Sequence, residues 1–70
     1  MATVTYAAHE QRVIEENYEL QVKIDKLEAF MLTPVFTGLQ EEDQLNLQKQ
    51  FGAMQLYARM LRERIKRFIN

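Results

Sequence analysis

The sequence contains no cysteine and no tryptophan, and it has one proline and two glycines among 70 residues. Without cysteine there is no disulfide framework, no thiolate nucleophile and no soft-metal site. Scarce proline and glycine, with 47% hydrophobic residues, are typical of a helical globular chain. A chain this short buries only about 60% of its unfolded surface. We therefore expect a second copy of the chain to provide additional stability.

Long apolar runs and a targeting segment are also missing. The start, MATVTYAAHEQR, has no basic segment followed by an apolar run. No stretch approaches the roughly 20 apolar residues that span a bilayer. The sequence therefore predicts a cytoplasmic protein with no membrane partner.

Residues that could support catalysis are few. His9 is the only histidine, and its neighbour Glu10 points to another face of a helix, so neither a catalytic dyad nor a metal site is expected. Gly38 and Gly52 are isolated, so there is no glycine-rich phosphate loop. The sequence predicts a non-enzymatic protein with no cofactor and no metal.

Apolar residues recur at helical spacing in two segments. The first segment contains Tyr6, Val13, Leu20, Ile24, Leu27 and Met31. The second contains Leu47, Phe51, Met54, Ala58, Leu61, Ile65 and Phe68. Steps of three, four or seven residues place each set on one stripe of an α-helix. This spacing predicts two long helices, over about residues 6–32 and about residues 41–68.

The connector, about residues 33–40, contains the only proline. Thr33 is expected to cap a turn that begins at Pro34, and Gly38 to end that turn with a positive φ. So short a connection makes the helices antiparallel. The predicted fold is an all-α antiparallel αα-hairpin, one domain over residues 1–70, that assembles as a homo-oligomeric helical bundle.

The net charge of −1 conceals an asymmetry between the two halves. Residues 1–43 contain nine acidic and three basic residues, whereas residues 44–70 contain one acidic and six basic residues. The basic half could attract an anionic ligand, or it could balance Glu10, Glu15, Glu16 and Glu19 across the hairpin. Duplex nucleic acid fits less well, because proteins that bind it usually carry clear positive charge.

One face of the second helix contains glutamines and bases without any acid. Its members are Gln44, Gln48, Gln55, Arg59, Arg62 and Lys66. Glutamine amides can both donate to and accept from base edges, and arginines bind phosphate with two hydrogen bonds. We therefore interpret Gln55, Arg59, Arg62 and Lys66 as ligand-binding residues, with a merely solvated face as the alternative.

Further apolar residues lie outside the two main stripes and predict an oligomer interface. They are Ile14, Tyr18 and Val22 on the first helix, and Leu56 and Met60 on the second. Asn17 interrupts the first main stripe. A single buried asparagine can fix register or oligomeric state, and the alternative is a polar contact in a binding site.

The order of many residues resembles a family of small αα-hairpin proteins that tailed phages and prophages encode, common in crAss-like phages. The matching residues include Gln11, Arg12, Val13, Glu15, Glu16, Leu20, Lys23, Ile24, Lys26, Leu27, Ala29, Phe30, Phe36, Leu39, Glu41, Glu42, Gln44, Leu45, Gln48, Ala53, Met54, Tyr57, Leu61, Arg64 and Ile65. The resemblance implies a phage origin, and hence the cytoplasm of a bacterial host.

A more distant resemblance connects the chain to the anti-CBASS and Thoeris anti-defence sponge proteins. It is based on Arg12, Ile14, Tyr18 and Leu20, which are similar to a cluster at the start of the sponge hairpin. Those sponges hold cyclic oligonucleotides or cyclic ADP-ribose isomers between subunits. The resemblance implies such a signal as the ligand and adds Arg12 to the candidate ligand-binding residues.

Two functional hypotheses follow from these observations. The first is a phage counter-defence protein whose oligomer sequesters an anionic nucleotide signal. The second is a protein-protein inhibitor or adaptor that docks a host defence protein through its second apolar face, with Tyr18 and Tyr57 as anchors.

Overall fold

The computed structural model describes residues 6–68, and two long helices dominate it. Helix α1 spans Ala8–Met31, the short helix α2 spans Pro34–Thr37, and helix α3 spans Glu41–Lys66. Helices α1 and α3 pack against each other, and no strand occurs within the described residues. The predicted all-α hairpin is confirmed, and each predicted helix end lies within two residues of the observed one.

The seam between the long helices consists of the two predicted stripes. Ile24 of α1 is 4% exposed, and Ala58 and Leu61 of α3 are each 1% exposed. At the open end of the hairpin, the rings of Tyr6 and Phe68 meet edge to face with centroids 6.5 Å apart. These contacts bury little else, so the core of an isolated hairpin is narrow.

The connector is fixed by one cap and one buried ring. The hydroxyl of Thr33 accepts from the backbone N–H of Phe36 at 3.4 Å and donates to the carbonyl of Phe30 at 2.6 Å. Pro34 occupies the first position of α2, as predicted. The Phe36 side chain is buried and lies edge-on to Phe30, with ring centroids 6.2 Å apart.

The prediction of a positive φ at Gly38 is wrong. Gly38 has φ −81° and ψ −9°, and its N–H donates to the carbonyl of Pro34 at 3.0 Å. The side chain of Gln44 explains why no left-handed residue is needed. Its amide donates to the carbonyls of Thr37 and Leu39, at 3.2 and 2.9 Å, and so satisfies acceptors at the end of the turn.

The hairpin is a rod of 52 × 20 × 16 Å. Its radius of gyration of 16.1 Å exceeds the value of about 11 Å for a compact 70-residue domain. Large apolar side chains remain exposed at Tyr18, Leu32, Val35, Leu45, Leu56, Tyr57 and Met60. None of the described helices combines the length and the apolar character needed to cross a membrane.

Candidate functional site: a groove between the long helices

An open groove with a volume of about 460 Å³ runs between α1 and α3. Its lining residues are Gln21, Ile24, Gln55, Ala58, Arg59 and Arg62. Ile24 and Ala58 are buried and form an apolar floor, whereas the four polar side chains are exposed and form the walls. The groove therefore combines an apolar floor with walls of amides and guanidinium groups.

Helical spacing explains how the basic wall forms. Gln55, Arg59 and Arg62 lie at intervals of four and three residues, so α3 presents them on one face. The three predicted ligand-binding residues of this set are thus brought to one groove by the fold. Their role in binding stays a prediction.

The arginines of this wall are not neutralised by the hairpin. Within residues 6–68, neither Arg59 nor Arg62 forms an ion pair or a hydrogen bond. The sequence alone left open that the basic residues of α3 pair with the acids of α1. Among the described residues, these two arginines do not form such pairs. Two exposed guanidinium groups side by side can bind one anion between them through charge-assisted hydrogen bonds.

The opposite wall includes a residue that sequence reasoning missed. Gln21 of α1 lines the groove, and its amide N–H donates to the carboxylate of Asp25 at 3.0 Å. Within the described residues, the carbonyl oxygen of the same amide accepts no hydrogen bond, so it can accept one from a ligand. Gln21 lies three residues before the buried Ile24, and that spacing could have placed it at the edge of the seam.

The other long face of the hairpin has a different polar contact. The hydroxyl of Tyr57 donates to the carboxylate of Glu16, which joins α3 to α1. This hydrogen bond raises the pKa of Tyr57 above its ordinary value of 10.0, with smaller contributions from desolvation and from the charge of Glu16, while Arg64 lowers it. The contact holds the helices together on the face away from the groove.

Two further predicted ligand-binding residues lie outside the groove lining. Lys66 is exposed, one turn beyond Arg62 at the end of α3. Arg12 precedes Gln21 by nine residues, which at 100° per residue places it on the opposite side of α1. The groove therefore brings together Gln55, Arg59 and Arg62 without Arg12 or Lys66.

The predicted interface residues lie on two separate flanks. Tyr18 is 71% exposed, and Ile14 and Val22 of the same helix are half-buried. On α3, Leu56 and Met60 are 54% and 55% exposed. At 100° per residue the α1 set is rotated from the seam towards the groove, whereas Leu56 and Met60 lie about 160° from the buried Ala58, on the side of α3 opposite the seam. These residues stay a predicted interface, now divided between two flanks.

Asn17 lies in the seam with an unsatisfied acceptor. Its side chain is half-buried, and its Oδ1 atom is buried without a hydrogen-bond partner among the described residues. A buried carbonyl oxygen without a donor costs about 1–3 kcal/mol. Its role in fixing register stays a prediction.

Comparison with known families gives one match. The family model described as Sequestin matches residues 7–67, which include all of α1, α2 and α3. Neither the curated proteins nor the solved structures gave a match. Because the match covers most of the chain, the chain belongs to the Sequestin family.

Proposed function

We propose that this member of the Sequestin family is a phage-encoded, non-enzymatic counter-defence protein that sequesters an anionic nucleotide signal in the groove between α1 and α3. The family name indicates a sequestering protein, and this fits a chain whose sequence has no catalytic motif. The observation that carries the proposal is the unpaired Arg59 and Arg62 beside two glutamine amides. The specific signal and the phage origin are part of the proposal.

The groove offers one group for each part of a nucleotide. Arg59 and Arg62 can bind phosphate oxygens through charge-assisted hydrogen bonds. The amides of Gln21 and Gln55 can donate to and accept from a base edge or a ribose. The apolar floor at Ile24 and Ala58 suits the face of a base, and a volume of about 460 Å³ falls within the range of small-molecule sites.

Sequestration places simple demands on such a protein. The cell must contain as many binding sites as signal molecules, and the protein must bind the signal more tightly than the host effector does. No catalytic turnover is required. A chain of 8.4 kDa can be made in large amounts at low cost to a virus. A duplex nucleic acid is a poorer ligand, because the chain has a net charge of −1 and the acidic α1 lies beside the groove.

The proposal predicts a specific effect of Arg62→Ala. Each charge-assisted contact to phosphate contributes roughly 1.5–3 kcal/mol, so the substitution should weaken binding about tenfold or more. Arg62 is exposed, so the melting temperature should hardly change. Calorimetric titration against cyclic di- and trinucleotides and cyclic ADP-ribose isomers measures the affinity of both proteins.

Arg67→Ala is the matched control, because Arg67 follows the end of α3 and does not line the groove. It should leave both affinity and melting temperature unchanged. A pull-down from host lysate, run in parallel, tests the second hypothesis. No heat with any nucleotide, together with one stoichiometric host protein in the pull-down, would reject sequestration in favour of a protein-protein inhibitor that uses the exposed Tyr18 and Tyr57.

A further inference from the structure

The α1 wall of the groove contains an amide whose orientation is fixed by a neighbouring carboxylate. An amide N–H of Gln21 donates to Asp25 at 3.0 Å, one helical turn nearer the connector. An ionised carboxylate can only accept hydrogen bonds, so the nitrogen of the amide must face Asp25 and its oxygen must face away. Gln21 lines the groove, whereas Asp25 is exposed and lies outside the lining.

The two walls of the groove therefore differ in hydrogen-bonding character. On α3, the guanidinium groups of Arg59 and Arg62 provide only donors and positive charge. On α1, the oxygen of Gln21 accepts no hydrogen bond within the described residues, and the nearby carboxylate of Asp25 disfavours a phosphate on that side. A ligand that fills the groove is thus expected to place its phosphate against α3 and a hydrogen-bond donor against α1.

We propose that Gln21, positioned by Asp25, selects the ligand of the groove by accepting a hydrogen bond from an exocyclic amine of the base or from a ribose hydroxyl. This inference rests on the proposed function, and it narrows the ligand to nucleotides that carry such a donor. Gln55 has no hydrogen bond within residues 6–68, so its amide can turn either way and does not discriminate between donors and acceptors. Asp25 is a positioning residue that acts only through Gln21.

A second pair on α1 has the same chemistry outside the groove. The amide of Gln11 donates to the carboxylate of Glu15 at 3.4 Å, also over four residues, and both residues lie outside the groove lining. A glutamate at this spacing can therefore hold a glutamine amide as an aspartate does. The pair provides a matched control for each substitution, and it supports Asp25→Glu as a conservative replacement.

Removing the donor from the ligand tests the selection. Calorimetry measures the affinity of the wild type for cyclic di-AMP, for an analogue without the exocyclic amines and for an analogue without the 2′-hydroxyls. At least one analogue should bind about tenfold more weakly than cyclic di-AMP, because it leaves the oxygen of Gln21 without a donor. The affected analogue identifies the amine or the hydroxyl as the group that Gln21 accepts.

Substitutions on α1 then assign this ratio of affinities to its residues. Gln21→Met removes the amide at similar length, so cyclic di-AMP and the affected analogue should bind within about twofold of each other. Asp25→Ala leaves the amide free to turn and should reduce the ratio to about threefold, whereas Asp25→Glu should retain it. A merely structural role for Asp25 would weaken both ligands equally and leave their ratio unchanged. Gln11→Met and Glu15→Ala should change neither affinity nor ratio.

The outcomes separate this proposal from nucleotide sequestration itself. Equal affinity of the wild type for cyclic di-AMP and both analogues would overturn the selection by Gln21 and leave sequestration standing. A ratio that persists in Gln21→Met or in Asp25→Ala would overturn it as well. Cyclic di-AMP carries phosphate, amine and hydroxyl, so no heat with it while another nucleotide binds would overturn this proposal alone. No heat with any nucleotide would reject both.

Discussion

Ala58 is the residue that opens the groove. Its neighbours in the α3 stripe, Met54 and Leu61, have large side chains, whereas Ala58 contributes only a methyl group to the floor at 1% exposure. A larger residue at this seam position would occupy space between Gln55 and Arg62 and would also strain the packing. A single small side chain therefore gives the amides and guanidinium groups an apolar base.

Asn17→Leu should raise the stability of the hairpin. The substitution removes the unsatisfied Oδ1 atom and buries apolar surface in the seam, for a gain of about 1–2 kcal/mol. Urea denaturation measures the gain, and Asn46→Leu on the exposed face of α3 controls for helix propensity. A strong loss of stability would instead mean that Asn17 is hydrogen-bonded in the native assembly. Sedimentation should also show more than one oligomeric state, because the buried asparagine that would fix the register of the helices is removed.

The Tyr57–Glu16 contact should make stability fall in strongly alkaline solution. Because the folded pKa of Tyr57 is raised, the folded chain holds the phenolic proton more tightly than the unfolded chain does. This contribution is complete below pH 10.0, the ordinary pKa of tyrosine, and is lost as the pH rises through the folded pKa. Tyrosine ionises at about pH 10, so denaturation midpoints are measured from about pH 8 to about pH 11. Over this range the midpoint should fall less steeply in Tyr57→Phe than in the wild type. Identical slopes would contradict the expectation.

At the scale of elements, the two helices were predictable because each has a long apolar stripe, broken in α1 by Asn17, with few competing signals. Acids at Glu41, Glu42 and Asp43 begin α3, and Arg64 and Lys66 end it, in agreement with the helix dipole. Gly38 was mispredicted because the competing cap comes from Gln44, which follows it by six residues and belongs to the next helix. Local turn rules do not include such a donor.

The groove was only partly predictable for a related reason. Residues on one helix share a face by spacing alone, and this identified Gln55, Arg59 and Arg62. Gln21 depends on how the two helices pack, and a shift of one residue in their register would rotate another side chain into its place. Arg12 came from a resemblance rather than from the geometry of α1, and it lies on the opposite side of that helix.

Gly52→Ala should stabilise α3. Gly52 lies in the middle of the helix, and a Cβ atom built there has no atom within 4 Å. Alanine is better than glycine in a helix interior by about 1 kcal/mol, which corresponds to a rise of roughly 4–8 °C in melting temperature. Ala53→Gly, at the next exposed position, should lower the melting temperature by a similar amount. No gain at Gly52 would indicate that a partner or ligand occupies the space beside it.

At the scale of the whole molecule, the hairpin has two apolar flanks that face different directions. Tyr18 and Val22 lie on α1, rotated towards the groove side, and Leu56 and Met60 lie on the side of α3 opposite the seam. One two-fold contact covers only one flank of each copy. A larger closed assembly would use both flanks, with each contact self-complementary.

The paired substitution Tyr18→Glu and Val22→Glu should therefore give a smaller and less stable species than the wild type. Light scattering of the wild type at micromolar concentration should give a mass above the 8.4 kDa of one chain. Its melting temperature should rise with protein concentration, because association stabilises only the folded chain. The double variant should lose most of that dependence, since two buried carboxylates oppose the contact.

Leu56→Glu with Met60→Glu provides the matched comparison on the other flank. If only the flank with Tyr18 and Val22 associates, this pair should leave mass and concentration dependence unchanged. If both flanks are used, it should give a smaller assembly than the wild type. A wild type of 8.4 kDa with a melting temperature independent of concentration would exclude self-association altogether. The exposed Tyr18 and Met60 would then be surfaces for another protein, because an isolated rod has no other means of covering them.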